Sequence, residues 1–156
     1  MSSPRAPRHL LPMTGKTYKL GRIEIAFKAC GSDTEGAYTL CETVEPPGSG
    51  AGLHRHPTYD ETFIICEGQF DFHIDGKDLK VGAGETIFVP RGTPHGFKCA
   101  GPGIGRQLII SSPGGLFEAF IDEVVTAQVD SGDPSKPAPA VDFRAIAAKY
   151  GMEFLS

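Results

Sequence analysis

The sequence predicts an all-β domain followed by a short C-terminal helical extension. Short apolar runs recur along residues 17–112, and turn residues such as Gly, Pro and Asp-Gly pairs separate them. Runs of this length and spacing are typical of a β-sandwich or barrel. Beyond residue 112 the apolar residues change to helical spacing. We therefore expect an N-terminal arm over residues 1–16, a β-barrel over residues 17–112 and a helical extension over residues 113–156.

The predicted strands follow one another with few residues between them. The first two, residues 19–28 and 37–44, precede a loop at residues 45–52. The later predicted strands are residues 61–66, 69–74, 77–81, 85–89, 96–99 and 106–111. Asp75-Gly76 lies between two of these and is a favoured two-residue hairpin turn. An uninterrupted series of strands fits one compact domain of this length.

Two helices are predicted after the barrel. The first extends to about Gln128, because one apolar stripe recurs at helical spacing. The stripe consists of Leu116, Phe117, Phe120, Ile121, Val124 and Val125. A Pro-rich linker follows at residues 133–139. Asp142 is a suitable N-cap for a second helix through Tyr150, and Gly151 can end it.

Charge and apolar patterning exclude several classes of protein. The formal net charge is −4, and the 15 basic residues are scattered, without a stripe for nucleic acid or a cluster for membranes. No apolar run reaches the roughly 18 residues of a membrane span, and the N-terminus lacks a signal-peptide core. We therefore expect a cytoplasmic protein with a small-molecule substrate.

The four cysteines show no CxxC pairing, so reduced thiols are expected, although a Cys30–Cys41 disulfide stays open.

Three histidines form the core of a candidate metal site. His54 and His56 are two residues apart, so on a strand both side chains point to the same side and can hold one ion. His95 shares a strand face with Phe97 and Cys99 by the same alternation. A third imidazole can therefore enter the same interior from across the barrel.

A carboxylate completes the candidate site. Glu61 shares its strand face with Phe63 and Ile65, which need burial, so the alternation places Glu61 inside. Asp60 is the alternative ligand on the opposite face. Three imidazoles and one carboxylate suit Fe, Mn, Co, Ni, Cu or Zn rather than Mg or Ca. Four protein ligands on an octahedral ion leave about two positions open, as a catalytic site requires.

Two spacing patterns resemble the motifs of the cupin superfamily. The first is Gly48-x5-His54-x-His56-x4-Glu61-x6-Gly68, and the second is Gly84-x5-Pro90-x-Gly92-x2-His95. The closing Asn of the second motif is replaced by Cys99, which removes no metal ligand. The resemblance covers about residues 37–112 and implies a double-stranded β-helix, the jelly-roll barrel of cupins. It also implies one divalent transition metal on His54, His56, Glu61 and His95.

Finer details resemble small single-domain cupins related to quercetin dioxygenase. The shared features are the run His-x-His-Pro-x4-Glu-Thr-Phe from His54, the run Gly-Thr-Pro-His ending at His95, and Ser-Pro-Gly-Gly before a Phe-rich helix. The resemblance implies a dioxygenase whose metal holds the substrate enolate and dioxygen. Glu61 would then be both metal ligand and catalytic base. A redox-neutral isomerase, lyase or cyclase and a non-enzymatic ligand-binding module remain open. No helix-turn-helix pattern precedes the barrel, which disfavours a DNA-binding regulator.

An apolar pocket around the metal is predicted to bind a small aromatic or enolisable compound. The predicted lining residues are Phe63, Ile65, Phe72, Phe88 and Phe97. A homodimer is also expected, because the sheet edge, the N-terminal arm and the apolar stripe all need cover.

Overall fold

The computed structural model describes residues 5–129 and 140–155. Within these residues the chain forms eleven strands and two helices. The strands are β1 (Lys16–Leu20), β2 (Ile23–Ala29), β3 (Thr39–Glu45), β4 (Gly50–Arg55), β5 (Asp60–Glu67), β6 (Gln69–Ile74), β7 (Lys77–Gly82), β8 (Thr86–Val89), β9 (His95–Cys99), β10 (Gly105–Ser112) and β11 (Glu153–Phe154). The helices are α1 (Leu116–Val129) and α2 (Phe143–Lys149).

The strands form two antiparallel sheets that pack as a jelly roll. The six-stranded sheet has the order β1-β2-β3-β10-β5-β8, and the five-stranded sheet has the order β11-β4-β9-β6-β7. Strands that are neighbours in sequence therefore often lie in different sheets, as in β4 and β5. The predicted all-β class with helices near the C-terminus is confirmed.

The core lies between the inner faces of the two sheets. Along β5 the burial alternates, with Glu61, Phe63 and Ile65 buried and the intervening residues half-buried. Phe63 meets Phe72 from the opposite sheet edge to face, with ring centroids 5.2 Å apart. Such a packed aromatic layer contributes both buried apolar area and favourable ring geometry.

The predicted boundaries of one strand and one loop are wrong. The predicted strand at residues 19–28 is a hairpin of β1 and β2, because Gly21 takes a left-handed φ of +59° between them. The predicted loop at residues 45–52 contains the end of β3 and the start of β4. At Asp75-Gly76 both residues have positive φ, 48° and 78°, which confirms the predicted hairpin turn.

Helix α1 buries its apolar stripe against the core of the same chain. Phe120, Ile121 and Val124 are at most 2% exposed and belong to the common core. On its outer side the helix is tied to β1 by a 2.6 Å hydrogen bond from the Tyr18 hydroxyl to Asp122. The stripe therefore does not need a second subunit to cover it, which corrects one reason for expecting a dimer.

The C-terminal segment returns to the barrel. Asp142 caps α2 by accepting a 3.0 Å hydrogen bond from the backbone nitrogen of Ala145, as the sequence predicts. After Gly151 the chain forms β11, which pairs with β4 at Glu153↔Arg55 and Phe154↔His54. This short strand is not predicted from the sequence, and the predicted linker at residues 133–139 lies outside the described residues.

All four cysteines are free thiols, so the alternative Cys30–Cys41 disulfide is not formed. Cys41 and Cys99 are fully buried in the core. Across residues 5–129 and 140–155, neither helix has the length and apolar character needed to cross a membrane.

Candidate metal centre

The four predicted ligands come from both sheets. His54 lies on β4 and pairs with His95, the first residue of β9, in the five-stranded sheet. Glu61 projects inward from β5 in the facing sheet. His56 follows β4 directly, and its carbonyl accepts a 2.8 Å hydrogen bond from the backbone nitrogen of Gly92. The jelly-roll pairing therefore brings together residues that are up to 41 positions apart.

These four side chains converge on one point in the interior. Their candidate ligand atoms all lie within 4.8 Å of one another, and all four residues are buried. The imidazole centroids are 4.3 Å apart for His54 and His95, and 4.8 Å apart for His54 and His56. Glu61 Oε2 lies 2.8 Å from His95 Nε2 and 3.0 Å from His56 Nε2. The predicted residues thus form the compact donor set that a single ion requires.

Backbone carbonyls orient two of the imidazoles. The Nδ1 atom of His54 lies 2.6 Å from the Gly52 carbonyl oxygen, and that of His95 lies 2.9 Å from the Thr93 carbonyl oxygen. A carbonyl oxygen only accepts, so each Nδ1 carries the proton and Nε2 is the nitrogen available to an ion, which in His95 also forms a 2.8 Å hydrogen bond with Glu61 Oε2. This is the outer-shell support that metal-binding histidines characteristically have.

Among the four residues, His56 gives the clearest evidence for a bound ligand. Both of its ring nitrogens are buried without a hydrogen-bond partner, since the 3.0 Å approach to Glu61 lacks hydrogen-bond alignment. The ring is held by stacking on Tyr59, with centroids 4.3 Å apart and planes 30° apart. A buried polar atom without a partner costs about 1–3 kcal/mol, and coordination of an ion would remove that cost for one of the two nitrogens. The donor set therefore fits a divalent transition metal.

The interior sets the protonation states of the cluster. Burial, together with the neighbouring His95 and His56, lowers the pKa of His54 to about 4. For Glu61, burial opposes ionisation, but His56 and His95 outweigh it and hold the pKa well below its usual range. His54 and Glu61 thus take the neutral and ionised forms that bind metal ions. For His95, burial lowers the pKa, but the hydrogen bond and charge of Glu61 outweigh burial and raise it, which favours the protonated form.

Asp60, the alternative carboxylate, lies outside the cluster. It accepts hydrogen bonds from the Arg91 backbone nitrogen at 2.8 Å and from Arg91 Nε at 3.1 Å. The predicted inward facing of Glu61 is therefore confirmed. His73 pairs with Asp78 at 2.7 Å with a half-exposed side chain, as expected of a surface histidine.

A cavity of about 170 Å³ adjoins the cluster. Among the predicted lining residues, Phe63 and Phe97 face it, whereas Ile65 and Phe72 are buried in the core away from it. The prediction for Phe88 is wrong, because this side chain is 62% exposed. On β8 the alternation turns Ile87 inward instead, and Phe88 faces solvent.

Several lining residues were missed by the sequence analysis. Some are apolar and come from the two helices and the segment after α2, namely Phe117, Phe120, Ile121, Phe143, Met152 and Phe154. No local pattern indicates that β11 returns to β4 and places Phe154 5.7 Å from the His54 ring. Thr43 and Glu45 also line the cavity. Strand alternation could have found this pair, but the predicted strand ended one residue before Glu45.

Comparison with known proteins agrees with this architecture. Residues 42–111 match the Cupin domain family. The chain is 39% identical over 56 residues to the oxalate-binding protein of Thermotoga maritima, covering 36% of this chain and 46% of that protein. It is 29% identical over 102 residues to quercetin 2,3-dioxygenase of Bacillus subtilis, covering 65% of this chain and 28% of that enzyme. The aligned segments thus span less than half the length of these curated relatives.

A solved structure extends the likeness to the fold. KdgF from Halomonas sp. superposes with a TM-score of 0.62 at 15% identity, covering 70% of this chain and 96% of that one. At this identity the likeness concerns the fold alone. Together with the family match and the two complete motifs, it shows that residues 42–111 of this chain form a cupin domain.

Proposed function

We propose that this protein is a metal-dependent dioxygenase acting on a small enolisable or aromatic compound. The observation that carries the proposal is the convergence of His54, His56, Glu61 and His95 at a buried cavity with largely apolar walls. Four protein donors are enough to retain an ion and leave coordination positions for substrate. The 29% identity to quercetin 2,3-dioxygenase supports the same class of reaction.

The metal would be held by the three imidazoles and the Glu61 carboxylate. A bound transition ion would act as a Lewis acid towards an enolic or phenolic oxygen and, if redox-active, would allow reaction with dioxygen. Iron, manganese, nickel, cobalt and copper all suit this donor set, as does redox-inert zinc.

The protein side chains would prepare the substrate. Glu61 is ionised at neutral pH because His56 and His95 stabilise its carboxylate. Its lowered pKa makes it a weak base, so it would take the proton of an enol or phenol only where a bound metal lowers the pKa of that oxygen. Phe63, Phe97 and Phe154 form apolar walls that exclude water from the same space.

The volume of the cavity limits the size of the substrate. A cavity of about 150 Å³ accommodates benzene, and the volume here is about 170 Å³. Pockets for drug-sized ligands are roughly 300–1,000 Å³. We therefore expect a compound of about one ring, smaller than a flavonol.

The first test is metal analysis of protein purified without chelator or an affinity-tag metal, with about one transition ion per chain expected. Oxygen uptake is then measured with catechols, small diketones and flavonols after loading with Fe, Mn, Co, Ni or Cu. With ¹⁸O₂, both labelled atoms should appear in the product, because a dioxygenase needs no external reductant. Absence of oxygen uptake with every metal and compound would reject the oxygenase.

The second candidate is metal-dependent binding of a small carboxylate, with or without redox-neutral turnover. It is favoured by the 39% identity to an oxalate-binding protein across 56 residues. In that case, calorimetry should show oxalate binding that requires the metal. Formation of a product without oxygen consumption would separate an isomerase, lyase or cyclase from a binding protein.

A further inference from the structure

Glu45 is a second buried carboxylate in the wall of the same cavity. Its side chain is only 1% exposed, yet it belongs to the cavity lining together with Thr43. The Oε1 atom accepts two hydrogen bonds of 2.8 Å, from the Thr43 hydroxyl and from Gln107 Nε2. The Oε2 atom is buried without any partner, and so is the side-chain oxygen of Gln107.

This arrangement differs from that of a structural carboxylate. Glu42, three residues earlier on the same strand, is also buried, but it pairs with Arg106 at 2.7 Å and with Lys28 at 3.1 Å. The two oxygens of Glu118 each accept a hydrogen bond, from Gly31 and Thr39. Within the described part of the chain, Glu45 forms no ion pair. A buried carboxylate oxygen without a partner is costly, which is typical of a group that awaits a ligand.

The two donors also direct the chemistry of the free oxygen. Because Thr43 and Gln107 both donate to Oε1, a proton on Glu45 would lie on Oε2, the oxygen without a partner. Burial raises the pKa of Glu45 to about 7, although the hydrogen bonds from Gln107 and Thr43 act in the opposite direction. Near neutral pH, Oε2 can therefore accept a hydrogen bond when ionised and donate one when protonated.

We propose that Glu45 is a substrate-binding residue that accepts a hydrogen bond from a hydroxyl group of the substrate through Oε2. The substrate would thus be a small ring compound with an acidic oxygen at the metal end and a hydroxyl at the Glu45 end. Only the acidic oxygen at the metal end of this substrate rests on the proposed function. A hydroxyl fits better than an ammonium group, because an ion held by one carboxylate and three neutral imidazoles keeps positive charge in the cavity.

The test compares benzoate with 3- and 4-hydroxybenzoate on zinc-loaded and metal-free protein. Zinc prevents redox chemistry, and about pH 8 keeps Glu45 mainly ionised. Calorimetry or NMR titration gives each dissociation constant. We expect one hydroxybenzoate isomer to bind about tenfold tighter than benzoate, the effect of one hydrogen bond to a buried carboxylate.

Variants of Glu45 assign this gain to its side chain. Glu45→Met, similar in length and apolar, should remove the gain from the hydroxyl. Glu45→Gln keeps the bonds to Thr43 and Gln107 and should reduce the gain only in part, so it serves if the Met variant does not fold. Glu42→Gln is the matched control, because it changes a buried carboxylate of the same strand outside the cavity. It should leave the gain unchanged.

Two results would overturn the role of Glu45. One is a gain below about twofold for both isomers in the wild type, including the absence of measurable binding. The other is a full gain in folded Glu45→Met or Glu45→Gln. Failure of the metal proposal is distinguishable: benzoate would then bind equally to zinc-loaded and metal-free protein, while the hydroxyl gain persisted in both.

Discussion

Strand alternation decides which of two adjacent carboxylates faces the metal site. Glu61 is buried with Phe63 on the inner face of β5, whereas Asp60 is bound by Arg91 on the outer side. The two apolar neighbours make the inner face recognisable from sequence, so the ligand set could be predicted. The same alternation could have placed Phe88, because Ile87 and Val89 share one face of β8 and Phe88 shares the other face only with Thr86. The structure shows Ile87 and Val89 buried and Phe88 exposed.

His56 is the most informative ligand to remove. In His56→Ala we expect metal affinity to fall by more than the roughly 10–100-fold typical of losing an outer-shell partner. The reason is that one of four donors is lost and water gains access to the ion. Metal content after dialysis, measured by mass spectrometry, checks this. His73→Ala removes a half-exposed histidine and should keep the wild-type content; full metal retention in His56→Ala would contradict the assignment.

Glu61 is expected to act as a base as well as a ligand. Glu61→Gln keeps the size of the side chain but cannot accept the substrate proton. Turnover per bound ion should fall by roughly 10²–10⁴-fold, more than substrate affinity. Metal content must be measured on the same samples. Asp60→Asn, which changes the neighbouring outer carboxylate, should keep nearly full activity; a wild-type rate per ion in Glu61→Gln would show that the base lies elsewhere.

At the level of elements, α1 acts as a wall of the barrel rather than as an appendage. Ile121 is 1% exposed and lines the cavity. Ile121→Ala should lower the free energy of unfolding by about 2–5 kcal/mol, because it leaves a hole in a packed core. Denaturant unfolding measures this change. Thr126→Ala, at an exposed position of the same helix, should stay within about 0.5 kcal/mol of wild type; equal effects of both variants would mean that α1 does not pack as described.

Local sequence signals predict the two helices but not strand β11 or the end of β3. Helix α1 and the capped helix α2 follow from periodicity and from Asp142, both of which are local signals. Strand β11 has two residues and no pattern of its own, and it exists because β4 offers an open edge beside His54. The sequence predicts a loop from Glu45 onwards, although strand β3 continues to that residue.

At the scale of the whole molecule, Glu45 should make stability depend on pH. Its pKa is raised to about 7 from an ordinary value of 4.5. Between these pH values the unfolded chain releases a proton that the folded protein keeps, so stability falls as pH rises. The loss amounts to about 3 kcal/mol.

Glu45→Gln should remove this contribution, so the stability difference between wild type and variant should change between about pH 4.5 and 7. Urea unfolding across that range measures it. Glu42→Gln is the control. Because the partners of Glu42 lower its pKa despite burial, this substitution should leave the wild-type dependence of stability on pH unchanged between about pH 4.5 and 7. A wild-type slope in Glu45→Gln would refute the raised pKa.

A homodimer remains a prediction. The stripe on α1 is covered internally, but Phe88 and Leu79 are exposed on β8 and β7, which are edge strands of the two sheets. Open edges with exposed apolar side chains favour association. Light scattering at micromolar concentration should give twice the chain mass of 16.6 kDa. Phe88→Lys should shift the mass towards the monomer, and a monomeric wild type would contradict the prediction.

The stacking of Tyr59 on His56 gives the metal centre an intrinsic optical reporter. The chain contains four tyrosines and no tryptophan, so its ultraviolet emission comes from tyrosine alone. The Tyr59 ring lies 4.3 Å from an imidazole that would bind the ion. A paramagnetic ion such as copper or nickel bound to that imidazole would quench its fluorescence, whereas zinc would not. Metal occupancy could then be followed in solution without a label, and a Tyr59→Phe variant would separate this signal from that of the other tyrosines.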